Sequence, residues 1–343
     1  MPLAYDIAMM SLGINFEREI REQPDVWDRV ARADVAVQLA NSLEGEVILI
    51  GSGSSLFAAQ LGAIALRRRG MSAHALAASE ARGDNRAYQQ RVIVAISQSG
   101  SSADVLAALD VLRPKRTIAL TNSVESLLAE RADVTVDVLA GPELAIPASK
   151  SVSSTIAILL SAASLLGGDH TREPEILIHT AENIRIWLAG AGVETIVRAA
   201  VAIAARHDVM VLGTDYGAPI AREAALKFKE ATYLHAEGFE AGEFRHGSAA
   251  MVDASSVVLG IMDPDATDIV GRPLREARRT GALRYAIGTT TVDEITRLGP
   301  IVDDPYNTLA WLVTVQLLAL HVARARGIDS DRPRGLTKAI VTE

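Results

Sequence analysis

"EVILIGSGSSLFAAQLGAIALRRRG", residues 46–70, decides the fold class. Val47 to Ile50 is a short apolar run, closed by Gly51 and a cluster of serines, and reads as a buried strand. The Ala- and Leu-rich stretch after it reads as a helix stopped at Gly70. The alternation continues outward. "AHALAAS" (73–79), "RVIVAIS" (91–97), "RTIALTN" (116–122) and "VTVDVLA" (134–140) read as further strands, with "SADVLAALDVL" (102–112) as a helix among them. Strands alternating with helices predict a parallel sheet covered on both faces.

The pattern then restarts. "VMVLGTDYGAPIAREAAL" from Val209 repeats the strand, glycine, polar turn and Ala-rich helix that begin at Val47, at an offset of 162. "SVVLGIMDPDATD" (256–268) stands where the first half has "VIVAISQSGSSAD" (92–104). The chain therefore reads as two copies of one α/β unit. The expected division is a helical segment over 1–34, a first unit over 35–180 and a second over 181–343. A partly helical linker falls within 167–185. In the first segment Phe16, Ile20, Val26 and Val30 are apolar anchors, and Pro24 marks a break or a new helix start.

Bulk properties exclude several classes. The 343 residues are 49% hydrophobic and 22% charged, enough for a full core. Aromatics are only 4%, so Ala, Val, Leu and Ile must fill it. The net charge of −8 argues against a nucleic-acid partner, which would need a basic footprint. With no cysteine, disulfides, thiolate metal sites and cysteine nucleophiles are excluded. The N-terminus lacks the basic start and apolar core of a signal peptide. The apolar runs "TIAILLSAASLLGG" and "TLAWLVTVQLLALHVA" fall short of the ~20 residues that span a bilayer, and read as buried helices. The expectation is a cytoplasmic protein with no membrane partner.

The two copies differ in chemistry. The first ends its strands in "GSGSS" (51–55) and "SQSGSS" (97–102), whereas the second carries Asp263 and Asp265. In an open α/β sheet, ligands bind beyond the carboxyl ends of the strands. Hydroxyls gathered there, backed by a helix N-terminus, suit a phosphate group. Ordinary capping by Ser102 or Asp104 is the alternative; two serine-rich strand ends in one unit favour the anion. Fixed acids in the second copy would repel one. A dinucleotide site fits less well, because Leu56 holds the third glycine position of G-x-G-x-x-G and no acid obviously closes the second strand.

A second cluster is "AREAALKFKEATYLHAEGFEAGEFRHG" (221–247). Helical spacing puts Glu223, Lys227 and Glu230 on one face, with Lys229 elsewhere. This is either a solvated ion pair or, on so apolar a helix, a buried acid–base pair suited to proton transfer. Glu243 and His246 have Glu-x-x-His spacing, but no second pair completes a metal site. His246 then reads as an acid–base group or as a hydrogen-bonded structural residue. Lys338 follows Pro333 and Gly335 and precedes "AIV", which suggests a folded tail.

Taken together, "SQSGSSAD", "ASKSVSS", the 221–247 stretch and "DRPRGLTKAIVTE" resemble the sugar isomerase (SIS) domain family. Within it they are similar to the isomerase portion of the glutamine–fructose-6-phosphate aminotransferases, from Glu19 to Glu343. The resemblance implies two tandem units, each a three-layer α/β/α sandwich of flavodoxin-like type. It implies an enzyme acting on a sugar phosphate, a homodimer with a shared active site, and no metal or organic cofactor. Ser55, Ser97, Gln98, Ser99 and Ser102 would bind phosphate. Glu230 would be the base moving a proton between C1 and C2, with Lys227 and Glu223 on the same helix. Lys338 would form a Schiff base with the open-chain ketose, and His246, supplied by the neighbouring subunit, would open the ring. Ile146, Ala148 and Ser149 would touch the sugar.

The chain departs from the family pattern where Ala148 stands for serine, Pro147 for a small residue and Ser149 for threonine. The sequence contains no cysteine, and the expectation is that no glutaminase domain acts here. The resulting expectation is a glutamine-independent isomerase/deaminase of an amino sugar 6-phosphate. A phosphorylated-fructosamine deglycase and a non-catalytic sensor are the alternatives.

Overall fold

In the computed structural model, residues 7–81, 88–168, 173–190, 192–289, 292, 294–302 and 306–338 are described. In chain order, α1 (Ile7–Met10), α2 (Ile14–Arg32) and α3 (Val35–Ser42) precede β1 (Glu46–Gly51). Next come α4 (Ser54–Arg68), β2 (Ser72–Ala77), β3 (Val92–Ile96), α5 (Ala103–Leu112), β4 (Arg116–Thr121), α6 (Leu127–Glu130) and β5 (Val134–Asp137). Helices α7 (Lys150–Leu166), α8 (Glu173–Ala189) and α9 (Gly192–Ala204) lead to β6 (Asp208–Gly213). The remainder is α10 (Gly217–Thr232), β7 (His235–Glu240), α11 (Ala241–Phe244), β8 (Ser256–Met262), α12 (Thr267–Ala277), β9 (Leu283–Gly288), β10 (Thr296–Leu298) and α13 (Asn307–Ala325).

The strands form two five-stranded sheets in the orders β2-β1-β3-β4-β5 and β10-β9-β8-β6-β7. Every pairing is parallel. The two orders are one topology used twice. The repeat read from the sequence is real in space: β1 and β6 hold equivalent central places, and β3 and β8 pair beside them. Each sheet is flanked by helices, so the fold is the expected pair of three-layer α/β units.

Burial explains why the strands look uniformly apolar. In β1, Ile48 and Ile50 pack with Val105, Leu109 and Leu112 of α5. Leu49 points to the opposite face, toward α4 and α7. There Gly62 leaves no room for a Cβ, which would lie 2.9 Å from Leu159 and 3.1 Å from Leu49. A strand buried on both faces has no polar side to alternate with. In the second sheet Met210, Leu212 and Val258 pack with Phe244, Val270 and Leu274.

By compactness the chain divides into two units. One holds the first sheet, from the described residues of 23–143, 150–181 and 337–343. The other holds the second sheet, from those of 1–22, 144–149 and 182–336. Lys338 thus groups with the first sheet.

One element differs from expectation, and one that was expected to be a buried helix is so. Pro24 neither breaks nor starts a helix, because α2 runs through it. On one side of that helix Phe16, Ile20, Trp27 and Val30 are buried, and burial of this order outweighs the ~3 kcal/mol cost of an internal proline. Helix α13 is long and apolar enough to cross a membrane by length and composition, yet 94% of its apolar window is buried inside the protein.

The N-terminus of α2 is capped from the far end of the chain. Asp331 accepts the backbone N–H groups of Asn15 and Phe16, both at 2.8 Å, and Asp329 accepts that of Gly13 at 3.0 Å. A carboxylate on orphan donors at a helix start stabilises it through hydrogen bonds and the helix dipole. Asp331→Ala is expected to lower unfolding free energy by ~1–2 kcal/mol, read as a lower urea midpoint at unchanged slope.

Candidate active site

The serine-rich ends of β1 and β3 lie side by side, since these strands pair directly. This is where the strand order of the first sheet reverses, the usual ligand position in such sheets. After β3 the chain turns on Gly100, at φ 63°. A Cβ there would lie 1.9 Å from Ser126 Oγ, so only glycine fits. Ser97 Oγ accepts the Gly100 N–H at 3.1 Å, and Ser99 Oγ accepts that of Ser101 at 3.2 Å. The main-chain oxygen of Gln98 is held by Asn122 N–H at 3.1 Å and Thr121 Oγ1–H at 3.4 Å. These bonds use no hydroxyl hydrogen of Ser97 or Ser99, whereas Ser101 donates its own to the Ser99 carbonyl at 3.3 Å.

Ser102 occupies the N-cap position of α5, but its side chain makes no capping bond. Gly53, which cannot cap through a side chain, holds that position on α4. Neither N-cap side chain accepts a bond; in α4 the N–H groups of Ser55 and Leu56 turn back to the Ser52 and Gly53 carbonyls at 3.2 and 3.0 Å, with Ser55 half-buried in the first turn. The side-chain cap that Ser102 could have made on α5 is therefore not formed. The second sheet does the opposite. Asp263, after β8, accepts the N–H of Asp265 at 3.1 Å, and Glu240 takes those of Gly242 and Glu243 at 2.8 and 3.1 Å. Fixed carboxylates occupy the donors there.

The row on α10 is buried. Lys227 Nζ lies 2.5 Å from Glu230 Oε2 and 3.5 Å from Glu223 Oε1. Lys227 and Glu223 are 0% and 1% exposed in their side chains, while Glu230 is 19% exposed. A solvated surface pair is therefore excluded. Gly238 and Gly213 seat this helix: a Cβ on Gly238 would lie 2.5 Å from the backbone of Ala221 and Arg222, and one on Gly213 2.1 Å from Gly217 O. Tyr233 ends the helix at φ 59°, and its hydroxyl accepts the N–H of Arg334 at 2.8 Å while its ring carries the Arg334 guanidinium at 4.3 Å. The tail is thus folded as far as Lys338, and 339–343 lie outside the described residues. Glu223 is sealed, whereas Glu230 keeps part of its side chain exposed.

The remaining residues fall as follows. Lys338 Nζ pairs with Glu143 Oε2 at 3.0 Å. Glu143 was not singled out from the sequence; it is a lone acid 195 positions away, and no local spacing announces it. In the 144–149 loop Ile146 and Ala148 are half-buried and Ser149 is buried, its carbonyl accepting Gln316 Nε2 at 3.4 Å. Glu19 accepts the N–H groups of Leu144 and Ala145, which holds the loop. His246 is exposed in the turn after α11, and no hydrogen bond or ion pair joins it to the α10 row among the described residues. No cluster of metal-ligating side chains occurs among the described residues either. A depression of about 480 Å³ opens at the other edge of the first sheet, where Lys115–Glu44 and Arg91–Glu46 pairs neutralise one another.

Replacing Ser99 and Ser102 together by Ala is expected to weaken hexose 6-phosphate binding ~10²–10⁴-fold, since each of two hydrogen bonds to a charged group is worth ~1.5–3 kcal/mol. Calorimetric titration reads the loss, and an unchanged melting temperature shows the fold intact.

Comparison with known proteins agrees with this fold. The SIS domain description matches residues 42–166 and 202–321. A glutamine–fructose-6-phosphate aminotransferase of Sulfurisphaera tokodaii is 30% identical over 87% of this chain, which spans 50% of that relative's length. The C-terminal domain of a glucosamine-fructose-6-phosphate aminotransferase from Francisella tularensis superposes with a TM-score of 0.80 at 24% identity, covering 93% of this chain and 98% of that one. A glucosamine-6-phosphate deaminase from Thermotoga maritima gives 0.76 at 24% identity, covering 96% and 100%. By sequence pattern and by doubled sheet topology, the chain belongs to the SIS domain family.

Proposed function

We propose that the chain is a glutamine-independent phosphosugar isomerase/deaminase, converting glucosamine 6-phosphate to fructose 6-phosphate and ammonia, or running the reverse. The observation that carries this reading is the α10 row. Lys227 is sealed between two carboxylates, and only Glu230 is left open to a ligand. A module that merely sensed sugar phosphate would need the serine edge and no such row. Names among the relatives support the substrate class: an aminotransferase of fructose 6-phosphate and a deaminase of glucosamine 6-phosphate.

The roles follow from the chemistry. Ser55, Ser97, Gln98, Ser99 and Ser102 hold the phosphate, whose binding energy orients carbons remote from it. Glu230 takes the proton from C2 of the open-chain amino aldose and returns it to C1, giving a C2 imine. Lys338 exchanges with that imine and releases ammonia, and water then frees the ketose. His246 opens the ring from the second subunit of a cytoplasmic homodimer. Ile146, Ala148 and Ser149 face the sugar near C1 and C2. Ala148 brings no hydroxyl to that place, and this leaves a larger amine, as in a phosphorylated fructosamine, as the second reading.

The test is incubation with glucosamine 6-phosphate and a panel of phosphorylated fructosamines, with amine and ketose phosphate measured. Release from glucosamine 6-phosphate supports the first reading. Release from the fructosamines alone supports the second. Release from none removes the enzyme reading.

A further inference from the structure

We propose that Glu143 is the proton acceptor that turns Lys338 from an ammonium into a nucleophile. The inference rests on the reading of Lys338 as the Schiff-base lysine and adds a residue that reading does not contain. An ammonium has no lone pair, so Lys338 cannot attack a carbonyl until a neighbouring base takes one proton. Glu143 is that neighbour. Its Oε2 accepts directly from Lys338 Nζ at 3.0 Å, with no intervening group.

The two partners differ in exposure. Glu143 has 0% of its side chain exposed, whereas Lys338 has 29% and can meet a ligand. The carboxylate is also fixed on its other side, because Ser151 donates its N–H to Oε1 at 3.1 Å and its hydroxyl to Oε2 at 2.7 Å. These bonds come from the first turn of α7. A base held at a helix start and bonded directly to the tail lysine is placed to act on that lysine.

The step balances. Glu143 takes one proton from the Lys338 ammonium. The amine lone pair forms a bond to C2, and the carbonyl π pair moves to oxygen. A second proton passes from nitrogen to that oxygen. Glu143 then returns its proton to the hydroxyl, which leaves as water while nitrogen closes the C=N bond. The lysine nitrogen keeps its third proton as an iminium, and Glu143 is again a carboxylate beside a cation.

A purely structural role would be to cap α7 and dock the tail, and the test separates the two. Full-length protein is incubated with fructose 6-phosphate and borohydride, and the reduced adduct is located by peptide mass spectrometry. Wild type should carry the adduct on Lys338. Glu143→Gln keeps the size and an acceptor for Ser151, and should trap at least about tenfold more slowly. Its fructose 6-phosphate affinity and melting temperature should hold. Ser151→Ala, which removes the hydroxyl bond but leaves the ion pair and the main-chain bond, should slow trapping less than Glu143→Gln does. Trapping by Glu143→Gln at the wild-type rate overturns the proposal, as does joint loss of trapping, affinity and melting temperature in both variants. Should the Gln variant fail to fold, Glu143→Asp decides: slower trapping in a folded protein supports the role, and an unchanged rate overturns it. Absence of any adduct in wild type sinks the reading of Lys338 itself, and this inference with it.

Discussion

Replacement of Glu230 by Gln is expected to lower turnover of glucosamine 6-phosphate by ~10²–10⁴-fold while leaving phosphosugar affinity within about twofold. The amide matches the carboxylate in size and can still accept from Lys227, so the α10 row keeps its shape. What disappears is a group able to accept a proton at one carbon and return it at the next. The phosphate is assigned to the other sheet's serine edge, so binding should survive. Steady-state rates and calorimetric titration on the same preparation give the two numbers. Turnover within tenfold of wild type would remove Glu230 from the role of base.

Lys227→Met should be the most destabilising single change in this region, costing ~3–5 kcal/mol. Its ammonium is fully buried and is a cation partner of Glu223, which is itself 1% exposed. Removing one member of a buried pair leaves an uncompensated charge, whereas removing both can be nearly neutral. The double variant Lys227→Met, Glu223→Gln should therefore regain much of the loss. Urea unfolding of both proteins checks the sign as well as the size. A loss below ~1 kcal/mol in the single variant would mean that the row is not sealed as described.

The fold was legible because it rests on patterns that survive in one dimension. Apolar runs such as Val47–Ile50, punctuated by glycine and serine and followed by Ala-rich helices, could hardly form anything but parallel strands buried on both faces. The repeat from Val209 then predicted the second sheet, and the shared strand order shows that the repeat is structural. Pro24 misled because propensity is local while the packing of Phe16, Ile20 and Trp27 is not.

At the site, spacing alone placed Glu223, Lys227 and Glu230 on one helical face, since i, i+4 and i+7 are fixed by helix geometry. Spacing could not say that the face was buried; that needed the close seating of α10 against Gly238. The long-range partners were silent altogether. Asp331 caps a helix that starts over 300 residues earlier, and Glu143 meets Lys338 across 195 positions. No periodicity encodes such pairs, because they depend on tertiary closure of the chain.

The most direct test of the central claim is a crystal structure of the protein with a non-turning hexose 6-phosphate. The account predicts the phosphate at the carboxyl edge of the first sheet, within hydrogen-bond distance of Ser97, Ser99, Ser102 and the start of α5, and the Glu230 carboxylate turned toward the sugar. A phosphate bound elsewhere, or Glu230 directed away from the ligand, would contradict it.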